Sequence, residues 1–579
     1  MGAYFLKTFY VLLLISLFSS GISVTLKNSS ESGEAKCIES ERQELLSFKQ
    51  GLIDNFGMLS TWTNNKDCCK WKHILCNHQS GHVQVLDLHG NYHYTPYLRG
   101  TINVTSLIFL PYIQHLDLSH NYFVMSYIPE FTGSFTNLRY LDLSHSSFGG
   151  RIPSTLGNLL QLRYLDLGDN ILWGEIPFQI GSRHIFRALK LSYNQITGEI
   201  PESIRLLYKL EVLSLQWNSL EDLFSFLCGN VKAENMATLD LSDNQINGEL
   251  PDCWKSVNRL LFLDLSNNLL SGTIPISLGT LVRLEALVLR NNSLMGELPS
   301  SLKNCSNLIM LDMSENMLSG PIPSWVGESM LQLTILIMRG NHLSGNLPFH
   351  ICYLKRIQLL DLSKNKFSEG IPTCLNNFTA LSEESINKTE TQSRVHWYNR
   401  TYSEIYGFFS GTYYALHVTW MWKGVDRSFT HPELILQSID LSCNNLTGEI
   451  PKEITYMIGL ISLNLSRNNF SGEIPSEIGN LSSLESLDLS RNKFYGGIPS
   501  SLSEMDFLQK LDLSRNFLSG RIPLGRHMDT FDASSFEGNV DLCGKPLEES
   551  CPGDEAVTKS KGAEVNDKMI SQFSMKHYT

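Results

Sequence analysis

The side chains in this chain that could do chemistry recur on a fixed beat. Asp117, Asp142, Asp166, Asp240, Asp264, Asp312, Asp361, Asp440, Asp488 and Asp512 are spaced at about 24 residues or its multiples, with one gap of 79. Two carboxylates make a general acid and a general base only when their surroundings give them different protonation states. These ten share one context, LDLS or a near variant, so each reads as the Asp of a structural repeat. No phosphate-binding glycine loop, HExxH or GxSxG occurs. No catalytic residue, metal site or cofactor is expected, and the chain is not expected to be an enzyme.

The elements that hold this row are legible from Leu463 to Pro523. There Leu463, Leu465 and Asn468 recur as Leu487, Leu489 and Asn492, and again as Leu511, Leu513 and Asn516, 24 residues apart. A period of this length marks a solenoid, whose coils bury their apolar edges only against each other. LxL predicts a short strand with both leucines inward and the middle residue outward. The Asn falls where the chain leaves the sheet. Its amide can donate to and accept from the backbone of adjacent coils. Gly permits the bend that follows, and Pro stiffens the return segment. The run with L, L, N, G, IP and L at these phases resembles the plant-type leucine-rich repeat. That resemblance implies an α/β solenoid, a right-handed horseshoe or superhelix. It implies a parallel sheet on the concave face and 3-10 or loop returns on the convex face.

Along the 579 residues, net charge −12, the organisation follows. The acidic balance argues against a nucleic-acid partner. Residues 1–23 read as a secretory signal, with Lys7 ahead of an apolar run from Phe9 to Phe18. Residues 24–80 form a cysteine-bearing cap, with Leu45, Leu46, Phe48 and Leu52 on an amphipathic helix. A zinc site using His73 or His78 is the rival reading of these cysteines. Repeats cover 81–375 in 12 coils. The ladder position runs Asn91, Asn121, Ser146, Asn170, Asn194, Asn218, Asn244, Asn268, Asn292, Asn316, Asn341 and Asn365. Ser146 offers fewer hydrogen bonds than an amide, so a weak point or bridging water is expected there. The Pro is missing after Asn91 and Asn218, where bulges are expected. An insert at 376–430 carries twelve aromatics, too many for a disordered linker, and its second half is expected to fold back onto the solenoid. Four more coils cover 431–530, at Asn444, Asn468, Asn492 and Asn516. A second cap spans 531–551 and a polar tail 552–579.

Twelve cysteines in an exported chain point to disulfides. Cys228 and Cys253 share a phase in adjacent coils, as do Cys352 and Cys374. Neighbouring coils place such α-carbons about 5 Å apart, within disulfide reach. Cys305 and Cys443 lie four coils apart, about 19 Å, and are expected to stay unpaired, the first buried and the second exposed. Eleven sequons occur, at Asn28, Asn103, Asn291, Asn304, Asn377, Asn387, Asn399, Asn445, Asn464, Asn469 and Asn480. Asn464 lies between Leu463 and Leu465, so a glycan there would obstruct the sheet face of its coil. In the first half, His115, His120, Tyr140, His145, Tyr164, Tyr193 and Trp217 are expected on outward strand positions of one face. Aromatics on a rigid curved surface are good binding anchors.

The caps and the insert, whose Lys423-Gly424 pair precedes the resumed repeats, resemble plant leucine-rich-repeat receptor-like proteins. The likeness is to the group that perceives a fungal xylanase elicitor. It implies cap pairs Cys37–Cys68, Cys69–Cys76 and Cys543–Cys551. It implies an extracellular ectodomain that recognises a microbial protein, peptide or glycan through its concave face and insert. Candidate contacts are His115, Tyr140, Tyr164, Tyr193, Trp217, Trp420, Trp422 and Lys423. Co-receptor and adaptor receptor kinases are the implied signalling partners. A place in the plasma membrane is expected only if the native chain continues into an apolar segment. The alternative is a secreted inhibitor of a microbial wall-degrading enzyme, similar to polygalacturonase-inhibiting proteins.

Overall fold

The computed structural model describes residues 35–382 and 437–552, apart from gaps of one to four residues, and the backbone of four strands between 399 and 429. The expected signal segment, Asn28, Asn103, Asn387, Lys423 and the tail beyond residue 552 lie outside the described residues.

Each LxL run forms a short strand, of five residues in the first coil and three in the others, and each strand pairs in parallel with its counterpart in the next coil. Sixteen such strands run from Val83–Asp87 to Lys510–Asp512, twelve before residues 383–436 and four after. Ile74–Cys76 adds one antiparallel strand from the cap. The inward leucines of successive coils form one continuous core along the solenoid. On the convex side the IP dipeptide leads into 3-10 turns such as Ile276–Thr280 and Ser476–Asn480, with Pro275 and Pro475 ahead of them. Proline fits there because its fixed φ suits the turn and its missing N–H is not needed.

A second row of short strands, broken into sheets of four, six and five strands, lies between these two faces, and the sequence reading did not foresee it. Segments after the ladder residue, such as Leu269–Thr273 and Ser293–Gly296, pair in parallel from coil to coil. Glycine is required within them. Gly472 has φ 85°, and a Cβ there would lie 2.6 Å from Glu449 Cγ. This second row is irregular where the Pro is missing after Asn218. Its register shifts between Gly198 and Glu199, and Phe224–Leu227 forms an α-helical turn.

The asparagine column is the spine. Asn268 Nδ2 donates to Leu241 O of the preceding coil at 3.0 Å, and to Leu265 O and Ser266 O of its own at 3.1 and 3.0 Å. Its Oδ1 accepts from Ile246 N at 3.0 Å. The pattern crosses the insert unchanged, since Asn444 donates to Leu362 O at 3.1 Å and accepts from Phe367 N at 3.0 Å. Asn91 departs from the expected ladder. It is exposed and its backbone N–H bonds Pro96 O, so the first buried rung is Asn121, which reaches back to Leu88 O. At the other end the ladder gains a rung that was missed. Asn539, in the cap, donates to Leu513 O at 3.0 Å and accepts from Leu518 N.

Ser146 is not the gap it promised to be. Its one hydroxyl hydrogen is shared between Leu118 O at 2.8 Å and Ser144 O at 2.9 Å, and its oxygen accepts from Asn121 N at 3.2 Å. The acceptor that an amide would have supplied comes from the backbone, as Phe123 N bonds Ser146 O at 3.0 Å.

The N-terminal cap packs helix Glu39–Gln50 against the first coil, with Leu45 and Phe48 fully buried. Glu41 joins the two, its carboxylate accepting from Val83 N and His82 Nδ1, both at 2.7 Å. Five disulfides are formed. Cys37–Cys68 and Cys69–Cys76 staple the first cap, Cys228–Cys253 and Cys352–Cys374 join adjacent coils, and Cys543–Cys551 closes the second cap. All four cap thiols are therefore consumed, and the zinc reading with His73 or His78 loses its ligands. Cys305 is buried as expected, while Cys443 is half-buried rather than exposed, because its backbone is part of the ladder turn.

Asn316→Ala removes the two amide hydrogens that three carbonyls share and the oxygen that accepts from Leu294 N, all in a buried turn. It should lower stability by about 2–4 kcal/mol, and Ser146→Ala by only about 1 kcal/mol. Urea unfolding of both variants checks the order; equal shifts would show that the amide column is not the spine.

Candidate functional site

The outward residues of the first coils form two columns, not the single face expected. The difference is register. His115, Tyr140 and Tyr164 open their strands and pair directly across the sheet. His120, His145, Tyr193 and Trp217 sit five residues later, in the turn before the ladder residue. There the backbone is left-handed, with φ 54°, 51°, 53° and 56°.

In the strand column the rings stack. His115 and Tyr140 lie 4.1 Å apart and Tyr140 and Tyr164 4.5 Å, with interplanar angles of 8° and 4°. Lys190 ends the stack, its Nζ 5.3 Å from the Tyr164 ring centre and 3.4 Å from Asp166 Oδ2. Coil spacing in a sheet is close to aromatic stacking distance, so in-register rings satisfy both at once. In the turn column His120 stacks on His145 at 4.3 Å, and His145 Nδ1 lies 2.6 Å from Asp169 Oδ2. Tyr193 stacks on Trp217 at 5.8 Å. Tyr193 and Trp217 keep 42% and 52% of their surface exposed, whereas Tyr140 and Tyr164 are half-buried. The exposed pair is the better anchor, because its surface is still available.

Beside the rings stands the Asp row. Asp142 Oδ1 accepts from Ser144 N at 3.0 Å and Ser144 Oγ at 2.7 Å, and the same staple recurs at Asp117, Asp264, Asp312 and Asp361. The carboxylates thus hold the strand ends, a local side-chain-to-backbone bond typical of Asp. Asn464 takes the same part in its coil, accepting from Ser466 and donating to Asp440 Oδ2 at 3.0 Å. Of the other sequons, Asn291, Asn304, Asn377, Asn445 and Asn480 are exposed and Asn469 is half-buried. Asn399, Trp420 and Trp422 belong to described strands, but their side chains lie outside the described residues.

Stacking carboxylates one strand apart has an electrostatic consequence. Burial pushes the Asp142 carboxyl up to about 8, and the charges of Asp166 and Asp117 on either side push the same way. Burial and Asp440 raise Asp361 to about 7, and burial raises Asp240 to about 6. Burial works oppositely on a base and takes the His115 imidazole down to about 4. At the N-terminal edge Asp87, His89 and Asp117 bring ligand-type atoms within 4.8 Å, with His89 Nδ1 2.5 Å from Asp87 Oδ1. This trio was not singled out from the sequence; its signal is that the LDL of the first coil is followed by His.

These features define a leucine-rich-repeat solenoid of the plant type, built to present surface. The family described as Leucine rich repeat N-terminal domain matches residues 38–77, Leucine rich repeat matches 435–494, and Leucine Rich Repeat matches eight stretches between 137 and 525. Receptor-like protein EIX2 of Solanum lycopersicum is 46% identical over 157 residues, and Receptor-like protein EIX1 of the same species 43% over 162; each match covers 26% of this chain and 15% of the relative. The chain is thus a leucine-rich-repeat protein, similar over about a quarter of its length to plant receptor-like proteins. The matched stretch is a small part of those relatives' length. Among solved structures, the ectodomain of the Arabidopsis thaliana receptor kinase GASSHO1/SCHENGEN3 in complex with CASPARIAN STRIP INTEGRITY FACTOR 2 is 29% identical. It superposes with a TM-score of 0.53 over 80% of this chain and 56% of that one. The peptide hormone receptor RGFR1 shares the fold, at 23% identity, TM-score 0.51 and 82% coverage of each chain. No helix among the described residues is long and apolar enough to cross a membrane.

The raised carboxyls fix the sign of a pH effect. A carboxyl that binds its proton more tightly folded than unfolded, where it titrates near 3.9, stabilises the fold at low pH and loses that effect as pH rises through 6 to 8. His115, lowered when folded, opposes this only below about 6.5. The melting temperature should therefore climb as pH falls from 8.5, keep climbing below 6.5 because three raised carboxyls outweigh one lowered imidazole, and level off only near pH 4; Asp142→Asn should reduce the slope. Thermal unfolding across pH measures it; a melting temperature that falls from pH 8.5 to 6.5 would contradict the stacked-carboxylate account.

Proposed function

We propose that this chain is the ligand-recognition ectodomain of a plant immune or developmental receptor-like protein. It binds a microbial protein, peptide or glycan and signals through a partner receptor kinase. The observation that carries the reading is the exposed Tyr193–Trp217 stack on a rigid, curved sheet edge, flanked by the Lys190-capped Tyr stack. Rigid aromatics lose little side-chain entropy on binding and supply large contact area. Kinship with the EIX receptors and with the GASSHO1/SCHENGEN3 ectodomain supports this class of role. Co-receptor and adaptor kinases are proposed as partners, because a sheet-and-turn solenoid has no catalytic set of its own to relay the signal.

A purified fungal xylanase, the elicitor class of the resembled group, is the first ligand to try. If it binds, Trp217→Ala should weaken affinity by at least about tenfold, as expected of an aromatic anchor. Phe507→Ala, at an exposed residue outside the strands, should leave it unchanged. Binding that is insensitive to Trp217 and Tyr193 substitution would remove the proposed site.

A further inference from the structure

The exposed aromatic pair of the turn column stands between two carboxylates. Asp169, Tyr193, Trp217 and Asp243 occupy the left-handed turn position of four successive coils, with φ 49°, 53°, 56° and 54°. The backbone joins these turns from coil to coil. Asn170 N donates to Tyr193 O at 3.1 Å, Asn194 N to Trp217 O at 3.1 Å, and Asn218 N to Asp243 O at 3.2 Å. The two outer α-carbons therefore lie about 14 Å apart, three strand spacings. Side chains of this column touch across one spacing, as His145 Nδ1 does Asp169 Oδ2 at 2.6 Å and Asn267 Nδ2 does Asp243 Oδ1 at 3.0 Å. The carboxylates are felt at the rings. Burial, and after it the charges of Asp240, Asp243 and Asp169, push the Tyr193 phenol above its ordinary range. Among the described residues no lysine or arginine of the chain lies over Tyr193 or Trp217. The neighbouring strand column shows what the same combination does with a cation. There Lys190 Nζ lies 5.3 Å from the Tyr164 ring centre, donates to Tyr164 Oη at 3.2 Å and sits 3.4 Å from Asp166 Oδ2.

We propose that Asp169, Tyr193, Trp217 and Asp243 form a cradle for a basic side chain, a lysine or arginine of a polypeptide ligand. The proposal rests on the reading of the exposed stack as the ligand anchor, and it narrows the class of ligand. A cation is drawn to the face of an indole or a phenol by the ring quadrupole, most strongly to the indole. Trp217 and Tyr193 keep 52% and 42% of their surface in water, so an incoming side chain reaches them. Asp169 keeps 57% of its side chain exposed and adds charge without covering the rings. A ligand presenting carboxylates or sulfates here meets like charge and is disfavoured. A neutral sugar would use the rings and leave the carboxylates unanswered. The same column also sorts by sign along its length. In the last coils it carries Arg467, Arg491 and Arg515, so a basic segment is attracted to the first half of the solenoid and repelled from the end.

The probe is an acetylated, amidated peptide of alternating lysine and glycine. Two controls have the same length, one with every lysine ε-acetylated and one with glutamate in place of lysine. In calorimetric titration of the full chain at low salt, the lysine peptide should bind and both controls should not. Added salt should weaken the binding, because exposed charges are screened. Trp217→Leu keeps an apolar side chain but removes the ring face, and should weaken the lysine peptide at least about threefold. Asp169→Asn combined with Asp243→Asn should weaken it by at least about threefold through charge alone, and decides the matter if the Trp217 variant fails to fold. Three results would overturn the proposal. One is no binding of the lysine peptide. Another is equal binding of its acetylated form, or tighter binding of a neutral glucan oligosaccharide. The third is lysine-peptide binding that neither change weakens. A protein ligand that depends on Trp217 but not on the two aspartates would keep the anchor and remove the basic side chain; one indifferent to Trp217 would remove the anchor itself.

Discussion

Each coil must leave its strand through a left-handed turn, and everything else depends on how that turn is held. Fourteen non-glycine residues precede a ladder position with φ between 49° and 57°. For such residues the conformation costs on the order of 1 kcal/mol each. The ladder amide offsets that cost by binding carbonyls on both sides of the turn and one N–H of the coil before. Because each amide reaches the previous coil, the turns are coupled along the axis. The insert shows how local this logic is. A segment of more than fifty residues departs after one coil, and the next amide still finds Leu362 O and Phe367 N.

The held turn also decides what the solenoid can display. The left-handed residue projects outward, and its identity is free, since the amide beside it does the holding. His120, His145, Tyr193 and Trp217 occupy it in the early coils, and Arg467, Arg491 and Arg515 in the late ones. The strand's outward residues form a parallel row, aromatic at first, apolar in the middle and polar at the end. One repeated scaffold thus carries separate surfaces along its length. The Asp row lies between them and is committed to strand ends, which is why ten aligned carboxylates amount to architecture and not to catalysis. Their mutual repulsion is tolerated because protonation relieves it and because each is tied to the residue two places on, a serine in every coil but that of Asp166, where Gly168 N donates.

Much of this was legible from residues alone. The leucine and asparagine phases gave the strands, the core and the spine, because a repeat must satisfy the same polar groups in every coil. Equal phase gave Cys228–Cys253 and Cys352–Cys374. The cap pairings came with the family resemblance. What stayed hidden depended on backbone shifts or on distance in space. Ser146 reads as a defect until Phe123 N is seen to use its backbone carbonyl. Asn539 was passed over because no LxL strand precedes it. Asn91 fits the letter of the repeat but not its burial.

The sequence by itself determined the period, the inward and outward faces, and the class of protein, since all three follow from residue type at a fixed phase. Only the tertiary structure decided that the aromatics divide into two stacked columns. It also decided that the second row of strands exists and that carboxylates one coil away bracket the exposed aromatic pair. Those features arise between coils, where neighbours 24 residues apart meet at one strand spacing, and no single repeat contains the contact.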